Sequence, residues 1–78
     1  MAKLVFLGKL ADVAGGGELA VAPGKLADVL ARLPAPLAVA LLDERVRLAL
    51  NGEVIAHPEG IVLGEGDELA FLPPVSGG

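Results

Sequence analysis

Apolar and polar positions follow two different periods along this chain. Lys3 to Gly8, KLVFLG, is apolar after its first residue and closes on glycine, as a buried strand does. LADVA follows as a turn or short helical piece, and Gly15 to Gly17 break the chain as a hairpin turn would. Glu18 to Ala22, ELAVA, alternates enough for a second strand that pairs with the first. After Pro23-Gly24 the period changes. Leu26, Val29, Leu30 and Leu33 stand at i, i+3, i+4 and i+7, one stripe of a helix that Pro34 stops. PLAVALLDE predicts a second short helix with Pro36 at its first position. It is apolar nearly all round, so it is expected to be largely buried or to cover part of a sheet.

From Arg45 the period becomes two. Val46, Leu48 and Leu50 face one way, and Arg45, Arg47, Ala49 and Asn51 the other. Asn51-Gly52 is the strongest hairpin signal present, because a type I′ turn needs two residues tolerant of positive φ. Val54 to Ala56 returns, Ile61 and Leu63 form a short apolar piece, and Glu65-Gly66-Asp67 make a turn. Glu68 to Leu72 is the last strand, with Leu69 and Phe71 on one face and Ala70 and Leu72 on the other. Pro73 and Pro74 end it, since neither can donate to a ladder. The apolar first and last strands belong side by side at the centre. The expected fold is α+β: a mixed sheet of about five strands, covered on one face by one main helix and a shorter one, the ubiquitin-like β-grasp layout. Residues 1–72 would form that domain and residues 73–78 an extended tail.

Composition narrows the function classes. A chain of 78 residues makes one small domain, burying only about 60% of its unfolded surface. Its only aromatics are two Phe, so the core must be built of aliphatic residues. A net charge of −4, with six scattered cations, argues against nucleic acid. The longest uncharged internal run, Leu33 to Leu42, is half of what a bilayer requires. MAKLVFLGK is too short for a signal peptide. The absence of Cys fits a reducing compartment, and the expected location is the cytoplasm, away from membranes.

The inventory of catalytic side chains is nearly empty. Cys, Thr, Tyr and Trp are absent, Ser76 is the only serine and His57, in AHPEG, the only histidine. A lone loop histidine without a partner reads as solvated. Asp43-Glu44 and Asp67-Glu68 read as turn residues, because the alternate-position carboxylates of a hard-cation loop are missing. No phosphate-binding glycine pattern is present, so neither a metal nor a bound cofactor is expected. GKLADV occurs at Gly8 to Val13 and again at Gly24 to Val29, too short and too few for a repeat architecture.

The tail carries the sharpest signal. GDELAFLPPVSGG, Gly66 to Gly78, resembles the C-terminus of the molybdopterin synthase small subunits, the MoaD-type sulfur carriers. Every position fits the family pattern G-D-E-[VLI]-A-[FL]-[FLI]-P-P-V-[STA]-G-G. The length, the KLVFLG opening and the Asn51 turn match as well. The resemblance implies a β-grasp fold without catalytic residues of its own, those being expected on the large subunit. It implies a MoeB-type, ubiquitin-activating-like adenylyltransferase that uses ATP to adenylate the terminal carboxylate of Gly78. Sulfur then replaces AMP, giving a thiocarboxylate. The tail of Pro73, Pro74, Val75, Ser76, Gly77 and Gly78 would insert into a MoaE-type large subunit and hand sulfur to precursor Z, two transfers making the dithiolene. Leu7, Val54 and Leu72 match apolar positions that face the large subunit in that family. Where many members carry a basic then an acidic residue after the first strand, this chain has Ala11-Asp12-Val13, with Lys9 close by. A ThiS-type carrier of another sulfur pathway and a lysine-conjugated protein modifier share the diglycine ending and stand as alternatives.

The tail suits insertion physically. Polyproline geometry lets six residues reach about 19 Å. Pre-extension lowers the entropy lost on binding, and no charged side chain follows Glu68.

Overall fold

The computed structural model describes residues 1–74. Its strands are β1 (Ala2–Phe6), β2 (Glu18–Val21), β3 (Gly24–Lys25), β4 (Arg47–Leu50), β5 (Glu53–Ile55), β6 (Val62–Leu63) and β7 (Glu68–Leu72). Its helices are α1 (Lys9–Ala14), α2 (Leu26–Ala31) and α3 (Ala35–Leu41). The main sheet has the order β2-β1-β7-β4-β5, so the first and last strands lie together at the centre as expected. They run parallel, Leu4 opposite Leu69 and Phe6 opposite Phe71, while all other neighbours in that sheet are antiparallel. β3 and β6 form a separate two-stranded ribbon that the sequence pattern does not announce.

Strand alternation builds the core. In β1 the buried residues are Ala2, Leu4 and Phe6, and in β7 they are Leu69 and Phe71. The Phe6 and Phe71 rings stack at 5.7 Å between centroids, inclined by 12°. Leu10 of α1, Leu26 and Val29 of α2, and Leu37 and Leu41 of α3 close over them. All three helices thus cover the same face of the sheet. Instead of one main helix and a shorter one, α2 and α3 are nearly equal, at six and seven residues, and α1 adds a third of six. α2 stops at Ala31; Leu33 lies past its end but still packs on the core. α3 begins at Ala35, one residue ahead of Pro36. Only one side of α3 is buried: Val39, and Leu42 just past the helix end, remain exposed, because a single helix layer leaves its outer side uncovered.

The glycines after α1 act as a helix stop. Gly15, at φ 77°, takes the left-handed C-cap position, and the Gly16 N–H donates to the Ala11 carbonyl at 3.0 Å. The turn between β4 and β5 has positive φ at both central residues, 51° at Asn51 and 87° at Gly52, the signature of type I′.

Candidate functional site

The sheet has a second face that no helix among the described residues covers. Register places Val5, Ala70, Ala49 and Val54 in one row across β1, β7, β4 and β5. Leu72 stands opposite Arg47 in the next row. Leu7, one residue past β1, keeps the alternation: Phe6 is buried and Leu7 is 41% exposed. Its N–H donates to the Phe71 carbonyl at 3.2 Å, extending the central ladder towards the tail. The three apolar positions singled out in the sequence, Leu7, Val54 and Leu72, therefore share this open face. Val54 is 62% exposed, and Leu72 is half-buried.

Charge borders the patch. Lys3 Nζ lies 3.8 Å from Glu18 Oε2 and 4.0 Å from Glu68 Oε1 at one end, and Arg47 stands at the other. Opposite each other at the centre are the small residues Ala49 and Ala70. The floor is shallow and apolar, a form that fits a protein partner rather than a small molecule.

Two contacts set the ends of the strands that carry this face. Asn51 Nδ2 donates to Asp67 Oδ1 at 3.2 Å, and the Glu68 N–H donates to Asn51 Oδ1 at 2.9 Å. Asp67 Oδ2 also accepts the Gly64 N–H at 2.8 Å. That backbone donor, and then the Asn51 amide, hold the Asp67 carboxyl below the usual carboxylate range. The hairpin turn is thereby tied to the turn that launches β7. At the other end, Gly8 has φ 56° and ψ −136°, a conformation that side chains strain to adopt. A Cβ there would stand 3.0 Å from Pro73 Cγ. Glycine lets the first tail residue lie directly against the end of β1. Sequence reasoning missed both devices; the positive-φ signal of Asn51 was visible, but its long-range partner was not.

Near the tail root, Asp43 accepts from the Arg45 side chain at 2.9 and 3.2 Å and from its backbone N–H at 2.9 Å. The Arg45 side chain and backbone bonds lower the Asp43 carboxyl to about 2. Pro73 and Pro74 lie beside Arg45 and Arg47. Val75, Ser76, Gly77 and Gly78 fall outside the described residues. His57 is exposed in a loop, and Ala11, at the position often basic in the resembled family, packs against the core within α1 while Lys9 stays exposed. Among the described residues no group of three His, Asp or Glu is placed to hold a metal. No helix of the described chain is long and apolar enough to cross a membrane.

A five-stranded mixed sheet with parallel central strands, helices on one face and an open apolar face leading to a proline-stiffened exit defines a ubiquitin-like β-grasp protein. The comparisons with known proteins agree. The ThiS family model matches residues 4–78, and the chain belongs to that family. Among solved structures it is similar to small archaeal modifier protein 1 from Methanosarcina acetivorans, at 31% identity and TM-score 0.75, covering 99% of this chain and 95% of that one. The Haloferax volcanii protein of the same name gives 29% identity and TM-score 0.72 over 99% of this chain and 98% of that one. Sulfolobus solfataricus Urm1, at 20% identity and TM-score 0.73 over 91% and 97%, shares the fold.

Proposed function

We propose that the chain carries sulfur as a thiocarboxylate on Gly78 and serves as the small subunit of a molybdopterin synthase. The observation that carries this is the continuity of the open face with the tail root: Leu7 and Leu72 end the apolar patch where Pro73 leaves the sheet. A partner seated on that face receives the tail directly. In this reading, the domain ends at Leu72 and Pro73 to Gly78 are the inserted segment. A MoeB-type enzyme consumes ATP, releases pyrophosphate and leaves AMP on the Gly78 carboxyl, and a sulfur donor displaces the AMP. A MoaE-type subunit then docks on Leu7, Val54 and Leu72; the thiocarboxylate sulfur passes to the substrate held there, and water supplies the oxygen that restores the Gly78 carboxylate. Such ATP-linked chemistry belongs in the cytoplasm.

Intact-mass analysis tests this. Incubation with the activating enzyme, ATP and a sulfur donor should exchange one oxygen for sulfur at the C-terminus, and unchanged mass overturns the carrier reading. Co-purification with a MoaE-type subunit separates molybdopterin synthesis from another ThiS-type pathway.

A second reading is favoured by the similarity to the archaeal modifiers at 31% and 29% identity. In it, the activated Gly78 acylates lysine amines of other proteins. Isopeptide-linked ladders in cell extract, lost on deleting Gly77-Gly78, are its expected mark.

A further inference from the structure

Away from the open face lies a groove of about 450 Å³ between α2 and the segment leading into β6. Its walls are Leu26, Ala27 and Leu30 on one side and Pro58, Ile61 and Val62 on the other. The Leu26 N–H donates to the Ile61 carbonyl at 2.9 Å, so the two walls are fixed to each other before anything binds. Val62 is 61% exposed there. Lys25 stands on the rim, and Glu59 is the other charged group of the lining. None of these residues belongs to the open face or the tail root.

The chain offers four amines, and their settings differ. The Met1 amine is paired with the Glu65 carboxylate. Lys3 bridges Glu18 and Glu68 on the open face. Lys9 follows Gly8, against which Pro73 packs. An acyl group on Lys3 would cover the docking face, and one on Lys9 would crowd the tail root. Lys25 is exposed and, among the described residues, makes no ion pair.

We propose that Lys25 and the apolar groove beside it form an acceptor site for the C-terminal segment of a second copy of this chain, with Lys25 Nζ taking the Gly78 acyl group. The proposal rests on the modifier reading above. Complementarity selects the occupant. The last ten residues, Leu69 to Gly78, carry no charged side chain, matching a groove whose walls are apolar. Their one charge is the Gly78 carboxylate that the carrier reading requires, and the Lys25 ammonium stands at the groove's edge to meet it. In the covalent step, Nζ loses a proton to solvent and attacks the carbonyl carbon of the Gly78 adenylate. The bond from that carbon to the AMP oxygen breaks, AMP leaves and the new amide nitrogen sheds its second proton to solvent, the ATP having been spent in activation. The product keeps its own open face and tail root uncovered, so it can be activated and docked again.

Two experiments decide the matter without an activating enzyme. The isotope-labelled full chain is titrated with the peptide FLPPVSGG to millimolar concentration. Amide shifts are expected at Lys25, Leu30, Ile61 and Val62, with several-fold weaker binding of the C-terminally amidated peptide. Shifts centred on the open face, or none, overturn the site. Next, the chain is prepared as a Gly78 thioester by intein cleavage, mixed with unmodified chain, and the new amide bonds are mapped by peptide mass. Most should fall on Lys25 and vanish in Lys25→Arg. They should spread over the other amines in Ala27→Glu, which spoils the groove and keeps the lysine. An even distribution in the unmodified chain, or no bond, overturns the proposal. Thiocarboxylate formation is read separately: if it occurs while Lys25 is not selected, only the acceptor site fails. If Lys25 is selected while no sulfur exchange occurs, only the carrier reading fails.

Discussion

Along β7, Leu69 and Phe71 are 0% and 1% exposed, while Ala70 and Leu72 on the other side stay half-buried, with no helix among the described residues over them. The two faces differ in size as well as in cover. On the core face, large side chains interlock with three helices, and the Phe6–Phe71 stack fills the centre. On the open face, Ala49 and Ala70 make a low floor between Val5 and Val54. A chain this short has little stability to spare. It nonetheless leaves apolar area uncovered on one side, which points to a surface completed by a partner.

Substitutions can break or sharpen that contrast. The largest effect belongs to the core: Phe71→Ala should lose about 3–5 kcal/mol and leave the chain largely unfolded by thermal melt or urea titration. Gly8→Ala forces a side chain into strained backbone space against Pro73, at about 1–3 kcal/mol. By redirecting the tail it should slow sulfur transfer more than the loss of folded protein explains, measured at equal folded concentration. Asn51→Ala leaves the Glu68 N–H and an Asp67 oxygen without their side-chain partner and should cost about 1 kcal/mol in a urea titration. Val54→Asp, on the open face, should change stability by no more than about 0.5 kcal/mol. It should still cut partner capture in a pull-down by tenfold or more, because a charge would be buried on docking. Equal losses of stability and capture would erase the distinction between the faces.

Acid gives the smallest and most graded effect. Asp67 and Asp43 have lowered folded pKa values, so their contributions are present above the unfolded value of 3.8. They are lost as pH falls from there towards about 2, where Asp43 titrates in the folded chain. The urea midpoint should therefore fall across that window, and Asp67→Asn should flatten part of the drop.

Much of this layout was legible in the sequence, for physical reasons that differ by element. Val46, Leu48 and Leu50, and Leu69 with Phe71, were legible because strand alternation separates a buried face from an open one. Asn51-Gly52 was legible because few residues tolerate positive φ. The β3–β6 ribbon was hidden, since two residues a side carry no period. α1 was only half visible. Its GKLADV reappears across the start of α2, and in both places the leucine is buried and a short helix forms. The surroundings then diverge, Lys9 lying next to the tail root and Lys25 on the groove rim. The Gly8–Pro73 and Asn51–Asp67 contacts were invisible because each joins residues from separate elements. The open face was legible as a parity of positions; its row from Val5 to Val54 needed the register.

The parallel pairing of β1 with β7 has a consequence for the order of events in a cell. Residues 3–6 cannot complete their ladder until residues 68–71 have been made. Half of the stacked aromatic pair is missing until then. Contacts of such long sequence separation close late and slowly. During synthesis, the early hairpin and helices emerge with their apolar faces uncovered, and the strand that seals them is the one leading straight into Pro73. Formation of the core and presentation of the tail are thus one step, and an activating enzyme that requires the finished sheet would act only on molecules that have folded.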